Sequence, residues 1–250
     1  MTDTEKVVTK TKEYILNLYS QGYSTHKHMV EGLKNGIDYL VGINNNVATI
    51  KDEILRTCLD EFDSRTKVFD KVGHLKMVQA IRSGFIEFVK GLDLNDLTSV
   101  TPIPFERRLK NEESIVLTTS LKNKFDFGSW KDENYYWEPL SKTQNTVPLI
   151  YFDHNLFKSK EIEIVVDIIK SISQDRIYLL YDENINYEVD ASTMHFYWIE
   201  YAYCDLNTTW LIYISHEGTI TFSGQELLTE IESRLTEVYQ NKNSYHKNFR

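Results

Sequence analysis

Residues 210–222 of the chain read Trp-Leu-Ile-Tyr-Ile-Ser-His-Glu-Gly-Thr-Ile-Thr-Phe. Two runs that are rich in β-branched and aromatic residues flank a short polar stretch ending in Gly218, and this pattern is typical of a β-hairpin. We therefore predict one strand over residues 210–215 and a second over residues 219–222. The turn between them consists of His216, Glu217 and Gly218.

Further strands and helices alternate around this hairpin from residue 147 onward. Strands are predicted at 147–152, 176–181 and 194–204, and amphipathic helices at 159–173 and 224–239. A single helix separates the first two strands, and antiparallel pairing follows. This order favours an α+β fold over a doubly wound sheet.

The N-terminal hundred residues have a different pattern, since apolar residues recur there at spacings of three and four. Four amphipathic helices are predicted, over residues 7–19, 29–40, 48–62 and 75–89. Short links between them favour a small helical bundle. A further helix is predicted at 111–122, where Asn111 can cap the first turn.

The boundary between the two parts lies at residues 92–105. Pro102 and Pro104 are incompatible with a regular helix, and the threonines and serine before them suit an extended connection. We predict a helical region over residues 1–95 and an α+β domain over residues 105–250. The fold class is thus α+β, with an N-terminal helical bundle followed by a mostly antiparallel sheet with packed helices.

Composition indicates a cytoplasmic protein. The 250 residues are 41% hydrophobic, but no apolar run approaches the roughly 18–20 residues that span a bilayer. Residues 1–12 lack the apolar stretch of a secretory signal. The two cysteines, Cys58 and Cys204, are not in a Cys-x-x-Cys spacing, and we expect both to be packing residues in a reducing compartment.

The net charge of −9 is distributed unevenly along the chain. Residues 1–110 contain 16 Lys+Arg and 15 Asp+Glu, whereas residues 111–250 contain 12 and 22. Acidic surface disfavours nucleic acid and anionic membranes, because phosphate contacts need Lys and Arg. It favours a basic protein partner. The alternative is that the acidic residues only keep the protein in solution. The sequence does not indicate an oligomeric state.

Three short segments supply the candidate contacts with such a partner. Residues 182–190 are predicted to be an acidic connection between strands that steers a basic partner, an irregular aromatic segment supplies anchors, and the hairpin turn is an exposed tip. The candidates are Asp182, Glu183, Glu188, Asp190, Tyr136, Trp137, His216 and Glu217.

Support for catalysis is weaker. Ser215, His216 and Glu217 have the side chains of a nucleophilic triad, but consecutive residues of a strand point to opposite faces and cannot form a relay. No HExxH, GxSxG, P-loop or GxGxxG motif occurs, and we predict no cofactor. One alternative function is a small hydrolase or metal enzyme, with Asp153, His154 and His216 brought together at one sheet edge. Another is a structural or regulatory module.

Four motifs occur in a fixed order: Phe105-Glu-Arg-Arg-Leu, Asn111-Glu-Glu-Ser, Tyr136-Trp-Glu-Pro-Leu, and the hairpin of residues 210–222. Together they resemble uncharacterised bacterial proteins that are encoded beside polymorphic toxins as immunity partners. The resemblance covers residues 105–235 and carries over no functional residue. It implies inhibition by binding, in which an acidic face covers the active site of a basic toxin such as a nuclease.

Overall fold

The computed structural model describes residues 1–20, 27–43, 45–66, 72–93, 95–97, 100–128, 137, 139, 147–173, 175–181, 186–197 and 200–243. The chain forms two compact units, Met1–Arg108 and Leu109–Arg250. The first is helical, and the second is an antiparallel sheet packed with helices, so the α+β prediction is confirmed. Among the described helices, none has the length and apolar character needed to cross a membrane.

Helices dominate the first unit: α1 (Asp3–Ser20), α2 (Lys27–Asp38), α3 (Val47–Thr66) and α4 (Val72–Gly91), with a short strand β1 (Glu106–Arg108) after them. Each helix contains most of a predicted segment, because the apolar residues at three- and four-residue spacing form one inner face. Their buried side chains make a single core, which includes Val7, Val8, Ile15, Leu33, Ile37, Ile50, Ile54, Cys58, Phe62, Phe85 and Val89.

Helices α2 and α3 approach each other closely at two glycines of α2. A Cβ atom at Gly36 would lie 2.5 Å from the Cα of Cys58, and one at Gly32 would lie 3.0 Å from the carbonyl oxygen of Glu61. The distance at Gly36 is too short for any side chain, and the obstacle is backbone, whereas a side chain at Gly32 would be tightly packed. Glycine is therefore required at position 36, where it lets the two helix backbones touch.

Four charged side chains form a closed network in the first unit. Lys12 Nζ lies 3.0 Å from Asp38 Oδ1 and 3.2 Å from Glu106 Oε2, while Lys34 Nζ lies 3.0 Å from both Asp38 Oδ2 and Glu106 Oε1. Burial raises the pKa of Asp38 despite the two lysines. Burial acts in the same direction on Glu106, but there the lysines outweigh it and hold the pKa below its usual value. The charged form of each buried side chain is thus stabilised by the opposite charges of its partners.

The described residues of the second unit form six strands in the order β4-β3-β5-β6-β7-β2, with all described pairs antiparallel. The strands are β2 (Leu149–Asp153), β3 (Arg176–Tyr181), β4 (Asn186–Asp190), β5 (Tyr201–Asp205), β6 (Leu211–Ser215) and β7 (Thr219–Ser223). The helices are α5 (Asn111–Phe125), α6 (Ser159–Ile172), α7 (Gln225–Arg234) and α8 (Thr236–Tyr239).

Alternation along the strands directs apolar side chains to both faces of this sheet. One face packs against α6 and α7 and includes Val165, Ile168, Ile169, Ile177, Tyr201, Tyr203, Ile212, Ile214, Ile220, Phe222, Leu227 and Ile231. The opposite face packs against α5 and includes Leu117, Leu121, Phe125, Phe127, Trp137, Leu180, Ala202, Cys204, Leu211 and Tyr213. The central strands are therefore buried on both sides.

The predicted hairpin and the strand at 176–181 are confirmed, but two strand assignments are wrong. Residues 186–190, predicted as part of an acidic connection, form β4 and pair with β3. The predicted strand at 194–204 is reduced to β5. Before β5, the Tyr201 hydroxyl accepts a hydrogen bond from the Tyr197 amide and donates to the His195 carbonyl, both at 2.7 Å. The Tyr201 side chain thus forms hydrogen bonds with main-chain groups of residues 195 and 197 that a neighbouring strand would otherwise bond.

The C-terminal helix is also shorter than predicted. Residues 224–239 were expected to form one helix, but α7 ends at Arg234, and Leu235 has φ −114° and ψ 44° before the short α8 begins. Leu235 itself is buried in the core. The apolar periodicity continues through this break, which explains why the sequence predicts a single helix.

Candidate functional site

The turn between β6 and β7 presents an imidazole that a buried carboxylate holds in place. His216 Nδ1 is within hydrogen-bond distance of Glu200 Oε2, and the His216 amide donates to the same oxygen at 3.1 Å. Glu200 is only 8% exposed, whereas the side chain of His216 is 57% exposed. The ring is fixed on one side by Glu200 and open to solvent on the other.

The structure also explains why this turn is not a catalytic triad. The Ser215 hydroxyl accepts a hydrogen bond from the Glu217 amide at 3.0 Å, and Ser215 is buried. His216 Nε2 instead lies 3.8 Å from Glu217 Oε1. The imidazole therefore stands between two carboxylates, and the nearby hydroxyl is used inside the turn. These contacts make an exposed polar tip.

Glu200 is the functional candidate that the sequence reasoning missed. It directly precedes β5, which pairs with β6 so that Tyr201 is opposite Ile214. Glu200 is thereby placed beside the hairpin turn, 16 residues away along the chain. The signal in the sequence was a lone acidic residue at the start of a strongly apolar strand. Its partner could be recognised only from the strand register.

The proposed enzyme site at Asp153, His154 and His216 is assembled by the main chain but not by the side chains. The His154 amide donates to the Gly218 carbonyl at 2.9 Å, so the end of β2 does meet the turn. However, Asp153 accepts from the Asn155 amide at 2.8 Å, and His154 Nε2 lies 3.0 Å from the Phe196 carbonyl. Burial lowers the pKa of His154. The three side chains point to different surroundings.

Metal ligation has no better support in this region. In the part of the chain that the structure describes, no group of three or more His, Cys, Asp or Glu side chains is arranged to hold a metal ion. Both cysteines are buried, and burial raises the pKa of each thiol. The thiols have the environment of packing residues.

Of the four acidic candidates, two form contacts within the fold and two lie outside the described residues. Glu188 is 9% exposed and lies 3.4 Å from Arg176 Nη1 on the neighbouring strand. The Asp190 carboxylate accepts from the Ser192 amide at 2.7 Å and caps a short turn. Asp182 and Glu183, with the aromatic candidate Tyr136, lie outside the described residues.

Trp137, which the sequence predicts as an aromatic anchor for a partner, is instead a core residue. Its side chain is completely buried, its Nε1 donates to the Phe125 carbonyl at 2.9 Å, and Phe125 and Phe127 pack edge-on against the indole. The core on the α5 face of the sheet accommodates a large ring. Because the indole N–H is hydrogen-bonded, its burial does not leave a polar group without a partner. Trp137 therefore packs inside the core of the second unit.

A groove that the sequence did not predict runs between α5 and the turn from β5 to β6. Its volume is about 450 Å³, and every lining residue belongs to the second unit. Residues Glu112 to Lys124 of α5 form one wall, and a rise of 1.5 Å per residue makes that wall roughly 18 Å long. The other wall consists of Tyr178, Leu206, Asn207 and Thr208.

The two ends of this groove differ in chemistry. At one end Glu112 is exposed and makes no hydrogen bond or ion pair with any residue that the structure describes, while Glu113 accepts from the Lys110 amide at 2.7 Å. Near Glu112, Val116 is 70% exposed and Ile115 is 55% exposed. This end therefore combines a carboxylate that is available for a partner with aliphatic surface.

The opposite end is closed by Lys124. Its ammonium donates to the Asn207 carbonyl at 2.7 Å and to Thr208 Oγ1 at 2.7 Å, and Ser120 Oγ is also 2.7 Å from Thr208 Oγ1. Beyond Lys124 a second cavity of about 350 Å³ continues towards Val147 and Pro148. Lys124 thus divides the two cavities.

Thr208 has φ 51°, which a β-branched residue rarely adopts. Hydrogen bonds to Asp205 offset the cost of this conformation: its carboxylate accepts from the Thr209 amide, at 2.5 Å, and from the Thr209 hydroxyl, at 2.9 Å. Together with the bonds from α5, these contacts hold the turn in one conformation. The wall of the groove is consequently preorganised.

Comparison with known proteins gives no match to this chain, whether with family models, curated proteins or solved structures. The resemblance to immunity proteins gains no support from them. Function therefore has to be argued from the surface and the charges of the chain itself.

Proposed function

We propose that this chain is a binding protein that neutralises a basic protein partner by stoichiometric contact through its second unit, in the manner of the toxin-immunity proteins it resembles. The observation that carries the proposal is the available carboxylate of Glu112 beside the exposed aliphatic side chains of Ile115 and Val116. A free acidic group next to apolar surface is the combination that a basic protein surface complements.

The charge of the second unit supports this choice of partner. The first unit contains 15 Lys+Arg and 15 Asp+Glu, whereas the second contains 13 and 22, so the whole net charge of −9 belongs to the second unit. Such a field accelerates encounter with a basic protein and slows encounter with an acidic one. The rate of association should accordingly fall as salt is added.

The exposed aliphatic pair supports a protein partner rather than a small ion. Glu112, Ile115 and Val116 are three and four residues apart, so they share one face of α5. Single exposed aliphatic residues are common on protein surfaces. Two beside a preorganised groove provide the apolar centre that an interface needs, with polar residues around it.

A capture experiment with matched variants tests the proposal. Tagged wild type, Glu112→Lys, Val116→Asp and Glu232→Lys are each incubated with cytosol of the source organism at low and moderate salt. Glu232 is exposed on α7, so its reversal changes the net charge as much as reversal of Glu112 does. The two charge variants then have the same net charge and differ in whether the reversed charge lies at the proposed contact.

We expect wild type and Glu232→Lys to retain one basic protein in equal stoichiometry, with release by salt. Glu112→Lys and Val116→Asp should retain several-fold less, because each alters the contact itself. The purified partner should lose its toxic activity when it is mixed with wild type at a ratio of one to one. Retention of no basic protein, or a partner that keeps its activity in the complex, would contradict the proposed function.

A further inference from the structure

We infer that the groove between α5 and the turn from β5 to β6 binds an extended segment of the partner in which basic and aliphatic residues alternate. This inference rests on the proposed function and specifies the part of the partner that is recognised.

The length of the groove matches a short extended peptide. One wall is roughly 18 Å long, and an extended chain advances about 3.3 Å per residue. About five residues can therefore lie between Glu112 and Lys124.

The charge at the open end selects a basic residue. Glu112 is exposed and has no partner among the described residues, and Glu113 is next to it with one carboxylate oxygen bonded to the Lys110 amide. A Lys or Arg of the partner would pair with Glu112 without breaking a bond within the chain. An acidic segment would meet two carboxylates and be repelled.

The middle of the groove selects aliphatic side chains. Val116 and Leu117 line it from α5, and Leu206 and Tyr178 line it from the opposite wall. Leu117 is buried, whereas Val116 is largely exposed, so the apolar surface extends from the floor to the rim. Side chains of an extended peptide alternate between two directions. One set can therefore enter this apolar strip while the basic set stays near the acidic rim.

The closed end fixes where the segment stops. The Lys124 ammonium bonds the carbonyls of Asn207 and Thr208, at 2.7 and 3.1 Å, and so occupies the acceptor groups of the turn. The positive charge of Lys124 also disfavours a basic residue beyond the fifth position, so the segment ends before Lys124.

Peptide titration tests this inference with a defined probe. The pentapeptide acetyl-Lys-Leu-Lys-Leu-Lys-amide is titrated into the full chain by calorimetry, and backbone amide shifts are followed by NMR. Acetyl-Glu-Leu-Glu-Leu-Glu-amide is the matched control peptide. We expect saturable binding of the basic peptide only, with shifts at residues 112–124 and 206–208. Glu112→Lys and Val116→Asp should each weaken binding about tenfold, and Glu232→Lys less than about twofold.

Equal binding of the two peptides, shifts that avoid the groove, or no saturable binding would overturn the inference. Because both altered α5 residues are exposed, their thermal unfolding should match that of wild type, which separates a lost contact from a lost fold. If the partner is captured as proposed above but the peptide does not bind, the groove assignment fails and the binding function remains. If neither is observed, both fail.

Discussion

Gly36 lies where the backbones of α2 and α3 are in contact, and its lack of a side chain decides how closely the two helices pack. A Cβ there would be 2.5 Å from the Cα and 2.9 Å from the amide nitrogen of Cys58. Backbone atoms cannot move aside as the end of a flexible side chain can. The helices would have to separate, and the apolar contacts around Cys58 and Phe62 would be lost.

Replacement of Gly36 by alanine should therefore lower the free energy of unfolding by about 1–3 kcal/mol. The matched control is Gly91→Ala at the end of α4, where a Cβ meets no atom within 4 Å. That change should stay within about 0.5 kcal/mol of wild type. Urea unfolding followed by circular dichroism measures both. Equal stabilities of the two variants would show that the crossing of α2 and α3 tolerates a side chain.

Residue environments were the least predictable feature from the sequence. The acidic and aromatic candidates were chosen by type and by neighbours along the chain, and type does not determine burial. Trp137 is in the core because Phe125 and Phe127 surround it, and Glu188 is on a strand beside Arg176. By contrast, the buried state of Cys58 and Cys204 agrees with the packing role expected for them.

Two of the lysines of helix α1 differ in environment and so separate two kinds of ion pair. Lys12 is 4% exposed and contacts Asp38, which is completely buried, and Glu106. Lys6 pairs with Asp3 at 3.0 Å on the surface of the same helix. Water screens the second pair but not the first. The network therefore joins α1, α2 and β1 through buried charges.

We expect Lys12→Met to lower the free energy of unfolding by roughly 3–5 kcal/mol, because two carboxylates would then share the single ammonium of Lys34. Lys6→Met should cost about 0–1 kcal/mol. Both variants remove one positive charge from α1, so a difference in overall charge does not separate them. Chemical unfolding in the same buffer compares them, and a cost for Lys12→Met as small as that for Lys6→Met would rule out a stabilising role for the network.

At the level of elements, local patterns of apolar residues predicted most of the helices and the central hairpin. The helices of the first unit and the hairpin of β6 and β7 each have a clear pattern, and each was identified. Strand β4 was missed because its polar residues, Asn186, Glu188 and Asp190, are typical of turns. Two of them are buried at the sheet, where Arg176 balances Glu188. The pairing of Arg176 with Glu188 depends on the register of β3 and β4, which the sequence does not show.

The candidate groove could not be predicted for a similar reason. Its walls come from residues 112–124, Tyr178 and residues 206–208, which only the sheet order places together. The charge imbalance between the two halves of the chain was visible from the sequence, because it requires only counting. The acidic charge that favours a basic partner could thus be read from the sequence, but the groove proposed to bind it could not.

At the scale of the whole molecule, the buried apolar residues of the described chain form three clusters. One belongs to helices α1 to α4 of the first unit. The other two lie on the two faces of the sheet in the second unit. Residues that share a core tend to unfold together. We therefore expect each of the two units to unfold cooperatively and separately from the other.

Amide hydrogen exchange of the Gly36→Ala variant should show whether the two units unfold separately. The substitution disturbs only the contact of α2 with α3, so we expect amides of α1 to α4 to lose protection, while those of β3, β5 and β6 exchange at the wild-type rate. Gly91→Ala should leave both sets unchanged. If protection instead fell by the same factor in helices and strands, the two units would unfold as one cooperative body. A lesion at the helix crossing would then also weaken the groove, and peptide binding would have to be measured against global stability.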